Sequence, residues 1–445
     1  MFLYLGLPIN LKKVRKMNKY VLILAILLAG QYSNGQFRPK FEPNYDEEKV
    51  PEFKLPDPLR TFTGRKIRNE RRWMKKGRPE LLEFFSNNIY GKVPGELSYE
   101  SFDVFEQSDD ALNGKARRKQ VDLVFKKNGR TLHFNILIYL PKQVTNVPVF
   151  LGYNFHGNHT VTNDVEVLIS EAWSRNRPSL GIINNQLTEQ SRGVRSGQWA
   201  VDKIIDGGFG LATIFYCAVD PDKDDFTDGV HPFFYTDGRR RPVANEWGAI
   251  SAWAWGLSQA MDYFEEDEDI DQERIVLFGH SRLGKTALWA GATDQRFAAV
   301  ISNNSGCGGA ALSKRRFGET VGRINNQFPH WFCKNFRNYN QNEEALPVDQ
   351  HELISLIAPR PVYIASAEED LWADPKGEFL SAYYATPVYE LFGKTGIPSL
   401  EMPDINDPIR NTVAYHIRSG GHDVTDFDWE QYIRWAREQL GSEND

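Results

Sequence analysis

From residue 120 onward, short apolar runs recur along the chain, each closed by glycine or polar residues. They fall at 120–126, 131–140, 147–154, 211–219, 274–279, 297–302, 360–367 and 412–419. The first two flank Asn128-Gly129, a strong signal for a two-residue hairpin turn. The later runs are continuous rather than alternating, as in strands buried on both faces. Helical patterns separate several of them, at 246–264 and 282–292. A hairpin followed by strand–helix alternation predicts an α/β architecture. Its sheet is mostly parallel, with an N-terminal antiparallel hairpin and helices on both faces, a three-layer sandwich. The acidic stretch 265–271 reads as a solvated loop, and no internal repeat is visible.

Upstream of these runs the pattern changes. Residues 36–60 are rich in proline and charge and read as an extended arm. Arg65, Lys66, Arg68, Arg71, Arg72, Lys75 and Lys76 follow; they are expected as the solvated face of a short helix starting near Thr63, rather than a polyanion site. Pro79 then opens a second helix over 80–88. At the N-terminus, residues 20–30 form an apolar run preceded by Lys12, Lys13, Arg15, Lys16 and Lys19 and followed by Ser33-Asn34-Gly35. Basic flank, short apolar core and small-residue exit make a secretory signal peptide, and the run is too short to span a bilayer comfortably. Met17 offers an alternative start for a compact signal. The expected plan is a signal at 1–35, an arm and basic helix at 36–75, and a catalytic domain at 76–445.

The chain of 445 residues carries 53 basic and 59 acidic side chains. Residues 1–35 hold five of the basic ones and none of the acidic, which leaves 48 against 59 and a net charge of −11. That balance argues against a nucleic-acid partner. The expected product is exported, periplasmic or extracellular, with no membrane span after the signal is removed. Cys217, Cys307 and Cys333 match no zinc spacing. Cys217 reads as a small buried hydrophobe, while Cys307 and Cys333 could pair in an exported protein.

The most informative segment is Arg274-Ile-Val-Leu-Phe-Gly279-His280-Ser281-Arg282-Leu283-Gly284-Lys285. An apolar strand runs into Gly-His-Ser and a helix follows at once. A serine on such a turn presents its hydroxyl above the sheet, beside helix N–H groups that favour a developing oxyanion. A serine hydroxyl needs a base. His422 follows the last expected strand, and the order serine, acid, histidine is that of the α/β-hydrolase fold. His416 lies inside that strand and His280 neighbours the serine; both read as packing residues. The acid that orients the base is sought in Glu368-Glu369-Asp370-Leu-Trp372-Ala-Asp374, after the strand at 360–367. Asp370 is the first choice and Glu369 the second.

With these residues in hand, the chain resembles the glucuronoyl esterases, carbohydrate esterase family 15, from about residue 70 to 435. The resemblance rests on Gly279-His-Ser-Arg-Leu-Gly-Lys285, Asn303-Asn-Ser-Gly-Cys-Gly-Gly309, Glu368-Glu-Asp-Leu-Trp-Ala-Asp-Pro375 and Gly421-His422. It implies a serine esterase that cleaves esters between (4-O-methyl-)glucuronic acid on xylan and lignin alcohols, through a glucuronoyl-enzyme and without a cofactor or metal. It also implies Ser281 as nucleophile, His422 as base and Arg282 as oxyanion stabiliser. Lys285, Glu319 and Trp372 correspond to the residues that hold the uronate, with Gln327 and Trp331 as weaker matches. Fungal members place their acid where this chain has Asn304, so the resemblance to bacterial relatives favours Asp370. They also flank serine and histidine with a disulfide, whereas His280 and Asp423 stand here.

Two other readings compete. An acetyl-xylan esterase would need no uronate-binding Lys285 and Glu319. A non-catalytic carbohydrate-binding fold would not need an intact serine, histidine and acid. Gly152-Tyr-Asn154-Phe-His156-Gly157 reads as an oxyanion-side loop. Asp220-Pro-Asp222-Lys-Asp224-Asp225 only faintly resembles a calcium loop, since it lacks the sixth-position glycine and the twelfth-position glutamate.

Overall fold

Alternation within the strands explains how the core is divided. In the strand that ends at His280, Ile275 and Leu277 face one apolar layer while Val276 and Phe278 face the other. Side chains alternate across a strand, so both faces must be covered. The computed structural model describes residues 41–235 and 238–441. Its strands are β1 (Ser101–Ala111), β2 (Ala116–Lys127), β3 (Arg130–Pro141), β4 (Val147–Asn154), β5 (Gly210–Phe215), β6 (Ile270–His280), β7 (Ala299–Asn303), β8 (Val362–Ala367) and β9 (Val413–Arg418). They form one sheet in the order β1-β2-β3-β5-β4-β6-β7-β8-β9. Strands β4 to β9 pair in parallel, and β1 to β3 extend the sheet antiparallel beyond β5.

The helices longer than ten residues are α1 (Arg78–Asn88), α2 (Ala249–Phe264), α3 (Arg282–Thr293), α4 (Pro375–Glu390) and α5 (Asp426–Leu440). Phe85, Trp253, Trp289 and Phe379 place α1 to α4 on one apolar layer. Trp429 and Tyr432 of α5 close the other, with Ile204 and Ile205 of the short helix Val201–Asp206. The expected three-layer α/β architecture and the hairpin at Asn128-Gly129 are both present; Asn128 and Gly129 take φ 53° and 73°, and Lys127 pairs with Arg130.

Several expectations need correction. β1 has no counterpart in the apolar runs, because it is an edge strand exposed along most of its length. The run 211–219 is a strand only to Phe215, after which Tyr216–Val219 makes a helical turn. No helix starts near Thr63. Instead Arg60 bridges to Lys66 around the left-handed Gly64, and the side chain of Asn69 caps the Arg72 N–H at 2.9 Å. Helical backbone then runs without a break from Glu70 through the π-turn Trp73–Gly77 into α1. The acidic stretch 265–271 is not simply solvated: Asp267 is buried and accepts from Lys119 at 2.7 Å and Tyr263 at 2.7 Å. Cys307 and Cys333 are free thiols. The Phe332 ring lies against Gly308, and the Cys333 thiol turns to the Asn87 carbonyl instead.

From Pro43 onward the chain is one compact unit, so no boundary falls at residue 75. The arm is docked: Asn44 accepts from the Gly318 N–H at 2.8 Å, and Glu47 pairs with Arg315 and Lys376. The expected signal at 1–35, with Met17, lies outside the described residues.

Parallel strands end at the same edge of the sheet, and loops beyond their carboxyl ends are where such folds build sites. Ser281 follows β6, Asn304 follows β7, Asp370 follows β8 by three residues and His422 follows β9 by four. The β6–α3 turn is unusually close. A Cβ on Gly279 would overlap the Leu283 carbonyl and lie 2.7 Å from Gly284 N; one on Gly284 would lie 3.0 Å from Gly279 O. This spacing explains both glycines of the Gly-x-Ser-x-x-Gly motif. Gly279→Ala is expected to destabilise the protein by at least about 3 kcal/mol, because backbone blocks the added methyl. Thermal and urea unfolding would check this, and an unchanged midpoint would contradict it.

Candidate active site

Ser281 sits at φ 58° and ψ −129°, a conformation that costs a residue with a Cβ about 1–3 kcal/mol. Its N–H donates to the Asn303 carbonyl at 2.9 Å, which ties the turn to β7. The residue is the N-cap of α3, whose first N–H groups have no acceptor within the helix. Its side chain therefore stands beside a concentration of free donors.

His422 Nδ1 lies 2.6 Å from Asp370 Oδ2. The same oxygen accepts from Asn304 Nδ2 at 2.9 Å. Asp370, not Glu369, is thus the carboxylate on the histidine. Asn304, the departure from the fungal pattern, thus donates to that same carboxylate. Burial alone would raise the Asp370 carboxyl, but the His422 hydrogen bond and charge and the Asn304 amide outweigh it and hold it below the usual carboxylate range. The His280 ring packs on His422, centroids 4.5 Å apart, and its Nδ1 meets Asn303 Oδ1 at 2.6 Å. Burial, then the charge of His422, pushes His280 down to about 3, so it is a neutral packing partner. His416 is buried in β9 against Asp428 at 3.0 Å, as expected for a structural residue.

Arg282 is the residue whose setting the sequence concealed. Its Nη1 donates to Asp222 Oδ2 at 3.0 Å and reaches the Tyr216 hydroxyl at 3.3 Å. The guanidinium lies against Trp331, Phe155 and Phe328, at 4.9, 5.3 and 5.9 Å from the ring centres. Asp222 also accepts from His330 Nε2 at 2.7 Å, Trp331 Nε1 at 2.8 Å and the Tyr216 hydroxyl at 3.0 Å. Burial would raise this carboxyl, but His330, Arg282 and Trp331 hold it far below the ordinary range. Asp220 is likewise engaged, with His231 at 2.8 Å and the Trp253 indole N–H on its carbonyl. The faint calcium-loop motif is therefore a hub for Arg282. The motif's spacing did not reveal it, although the run of aspartates was visible.

Lys285 is buried on α3. Two of its protons go to the carbonyls of Ser305 and Cys307, the latter at 2.7 Å, and Glu319 Oε2 lies 3.9 Å away. Burial draws both Lys285 and Glu319 towards their neutral forms, and their mutual attraction opposes it. Glu319 N–H donates to the Trp372 carbonyl at 3.0 Å, so the 319 and 372 loops are joined. Trp372 is half-buried. Trp331 is only 3% exposed and uses its indole N–H on Asp222, which makes it a wall for Arg282 rather than an open sugar platform. Gln327 is exposed at the end of the short helix Val321–Gln327.

A cavity of about 290 Å³ is lined by Ser281, Arg282, His422, His280 and Asp423 at its floor. Phe155 and His156 of the β4 loop also border it, as that loop's sequence suggested. Arg175, Arg177 and Arg195, which sequence reasoning did not single out, complete its wall.

The family model described as "Glucuronyl esterase, fungi" matches residues 228–393. Carbohydrate esterase MZ0003, from an unknown prokaryotic organism, is 50% identical over 395 residues, 88% of this chain and 91% of that protein. The chain belongs to carbohydrate esterase family 15. Among solved structures, a promiscuous family 15 esterase from the marine bacterial metagenome superposes with a TM-score of 0.84 at 50% identity, covering 89% of this chain and all of that one. The glucuronoyl esterase from Solibacter usitatus gives 0.83 at 45%, over 88% of this chain and 100% of that one. This family 15 member is an α/β-hydrolase and a carboxylic ester hydrolase.

Two outcomes follow from the geometry. Because the folded Asp370 carboxyl lies below its ordinary 3.8, the stabilisation it gives is complete above that value. It is lost as pH falls through the lower folded value. The melting-temperature gap between the parent and Asp370→Asn should be widest near neutral pH and narrow below about pH 4; a gap independent of pH would contradict the pairing. Asp222→Ala should destabilise by about 3–5 kcal/mol, since Arg282 is left buried without its counter-charge. Urea unfolding checks this against Arg175→Ala, an exposed residue of the segment between β4 and β5.

Proposed function

We propose that this chain hydrolyses esters of glucuronic acid or its 4-O-methyl ether on xylan with lignin alcohols. The observation that carries the reading is the placement of Ser281, Arg282 and His422 on one cavity, with His422 held by Asp370. The buried Lys285–Glu319 pair lies one helical turn along α3 from the serine and supports a uronate on that side. Lys285 has one proton left for a sugar hydroxyl or for Glu319. Trp372 supplies an apolar face and Gln327 takes a lesser part, while Trp331 acts by backing Arg282.

The mechanism has two halves. Ser281 Oγ attacks the ester carbonyl carbon while His422 takes its proton, and Asp370 stabilises the imidazolium that forms. The negative charge on the carbonyl oxygen develops beside Arg282 and the first N–H groups of α3. One such donor in a water-poor site contributes about 2.7–4 kcal/mol to the barrier reduction. His422 returns the proton to the alcohol oxygen, the C–O bond breaks, and a glucuronoyl ester of Ser281 remains. Water, giving its proton to His422, attacks that ester; His422 returns the proton to Ser281 Oγ as the acyl C–Oγ bond breaks, and the acid is released. No cofactor enters any step. The basic flank and short apolar run at the N-terminus support export, and no helix among the described residues is long and apolar enough to cross a membrane.

The test is hydrolysis of benzyl glucuronate by the purified protein, with an acetyl ester as control. The parent should release glucuronic acid, and Ser281→Ala should lose at least about a thousandfold in kcat. Glu319→Gln should raise KM for the glucuronate ester more than for the acetyl ester. Acetyl-ester cleavage without glucuronate release would turn the assignment to the acetyl-xylan type.

A further inference from the structure

The cavity at Ser281 carries an imbalance of charge that the ester chemistry does not use. Four of its lining side chains are arginines, Arg175, Arg177, Arg195 and Arg282, and one is a carboxylate, Asp423. Asp423 Oδ1 is already engaged, by the Gln198 amide and the Val424 N–H. Arg282 is balanced by Asp222 at 3.0 Å, and Arg175 donates to the Asp222 carbonyl at 3.3 Å and lies 4.0 Å from its carboxylate. Arg177 and Arg195 have no ion-pair partner among the described residues. Arg195 instead sets its Nη2 3.4 Å from His156 Nε2, and its Nε is buried without an acceptor.

The backbone under these arginines is fixed. Arg177 exchanges hydrogen bonds with Ile182, at 3.0 Å and 3.1 Å, and Arg195 N–H donates to the Thr160 carbonyl at 2.9 Å. His156 reports the local field: burial, then Arg195, Arg177 and Arg282, push it down to about 3. The wall is thus positive, with Arg177 and Arg195 on a fixed backbone and Asp423 the one carboxylate near Arg195.

Its direction relative to the reaction is fixed by His422. In the mechanism above, the departing alcohol receives its proton from His422, so the alcohol occupies the space that His422 borders. That space is this cavity, and Lys285, Glu319 and Trp372 are not among its lining residues. The uronate side and the arginine side therefore flank the serine separately.

We infer that the wall formed by Arg177 and Arg195, with Arg175, is a subsite for a carboxylate carried on the alcohol portion of the ester. The inference rests on the esterase reading above. Phe155, on the same cavity, gives an aromatic alcohol a ring to pack on. A preferred substrate is then an ester of glucuronic acid with an arylalkyl alcohol bearing a carboxylate. Water adds across the acyl C–O bond, and the products are glucuronate and the free carboxylate-bearing alcohol.

The experiment compares kcat/KM for three glucuronate esters: benzyl, 4-carboxybenzyl and 4-(aminomethyl)benzyl. In 20 mM salt the carboxybenzyl ester should be favoured about three- to tenfold over benzyl, and the aminomethyl ester disfavoured, as expected for partly exposed charges. In 500 mM salt the ratio should approach one, because exposed charges are screened. Arg177→Glu, a substitution at an exposed position, should reverse the order of the two charged esters. Arg195→Gln should reduce the carboxybenzyl-to-benzyl ratio, with circular dichroism and a thermal melt to verify the fold. Ser281-dependent cleavage of all three esters at equal rates, or an order unchanged by Arg177→Glu, would overturn the subsite and leave the esterase reading intact. Cleavage of none of them by the parent would overturn both.

Discussion

The turn between β6 and α3 is the constraint on which the site depends. It holds Ser281 at φ 58° and brings backbone so close to backbone that Gly279 admits no side chain and Gly284 leaves only a tight fit for one. A residue strained by about 1–3 kcal/mol keeps that conformation only when its surroundings over-determine it. Here the surroundings are a strand buried on both faces, the hydrogen bond from Ser281 N–H to Asn303, and a helix packed through Leu288 and Trp289 into the larger apolar layer. The result is a hydroxyl at the carboxyl edge of the sheet, at the positive end of α3. Asp370 and His422 approach the same edge from the ends of β8 and β9.

Three buried carboxylates hold those neighbours in place. Asp222 gathers Arg282, Tyr216, His330 and Trp331. Asp428 gathers His416 and Arg418 at 3.0 and 2.7 Å, and Arg418 in turn holds the carbonyls of Ser419, Gly421 and Asp423 around His422. Glu378 accepts from the N–H groups of Ser305 and Gly306 and from the Ser366 hydroxyl. Burial raises the Glu378 carboxyl to about 8, despite these donors. Buried polar networks of this kind add little net stability against an apolar core, but each member has one geometry. That suits a site whose parts come from the segments after six strands. The loop bearing His422 has no regular structure of its own, and its shape is that of the arginine beneath it.

How much of this was legible in the sequence depends on the range of the interaction. Strands buried on both faces are continuous apolar runs, so the parallel sheet could be read, and Asn-Gly fixed the hairpin. The serine, histidine and Asp370 could be read because the turn that presents the nucleophile is local and chain order limits the partners. β1 was not legible, since an exposed edge strand carries no apolar run. The Arg282 hub was not legible either: Asp222 lies 60 residues before Arg282 and His330 lies 48 after it, and only the fold brings them together. Arg175, Arg177 and Arg195 lie between β4 and β5, among loops with no periodicity to mark a face. A helix boundary near residue 63 was misplaced because the side chain of Asn69, not the start of the basic run, supplies the cap.

In the reading proposed above, the distribution of charge gives the two sides of Ser281 different tasks. An ester is neutral at its carboxyl, whereas the product acid is an anion. A site with unbalanced positive charge on the sugar side would bind that product more tightly than the substrate and slow its release. On that side the charges are matched: Arg282 by Asp222, and Lys285 by Glu319. Arg282 can still respond to the oxyanion, because the developing charge lies on the carbonyl oxygen at the turn and is transient. In the proposed subsite the excess positive charge falls to Arg177 and Arg195, on the cavity that His422 borders. Attraction there acts on the leaving group's distal end and not on the released acid. Affinity for the substrate is thereby separated from retention of the uronate, and the same fold can hold one half of its substrate firmly while letting the other half go.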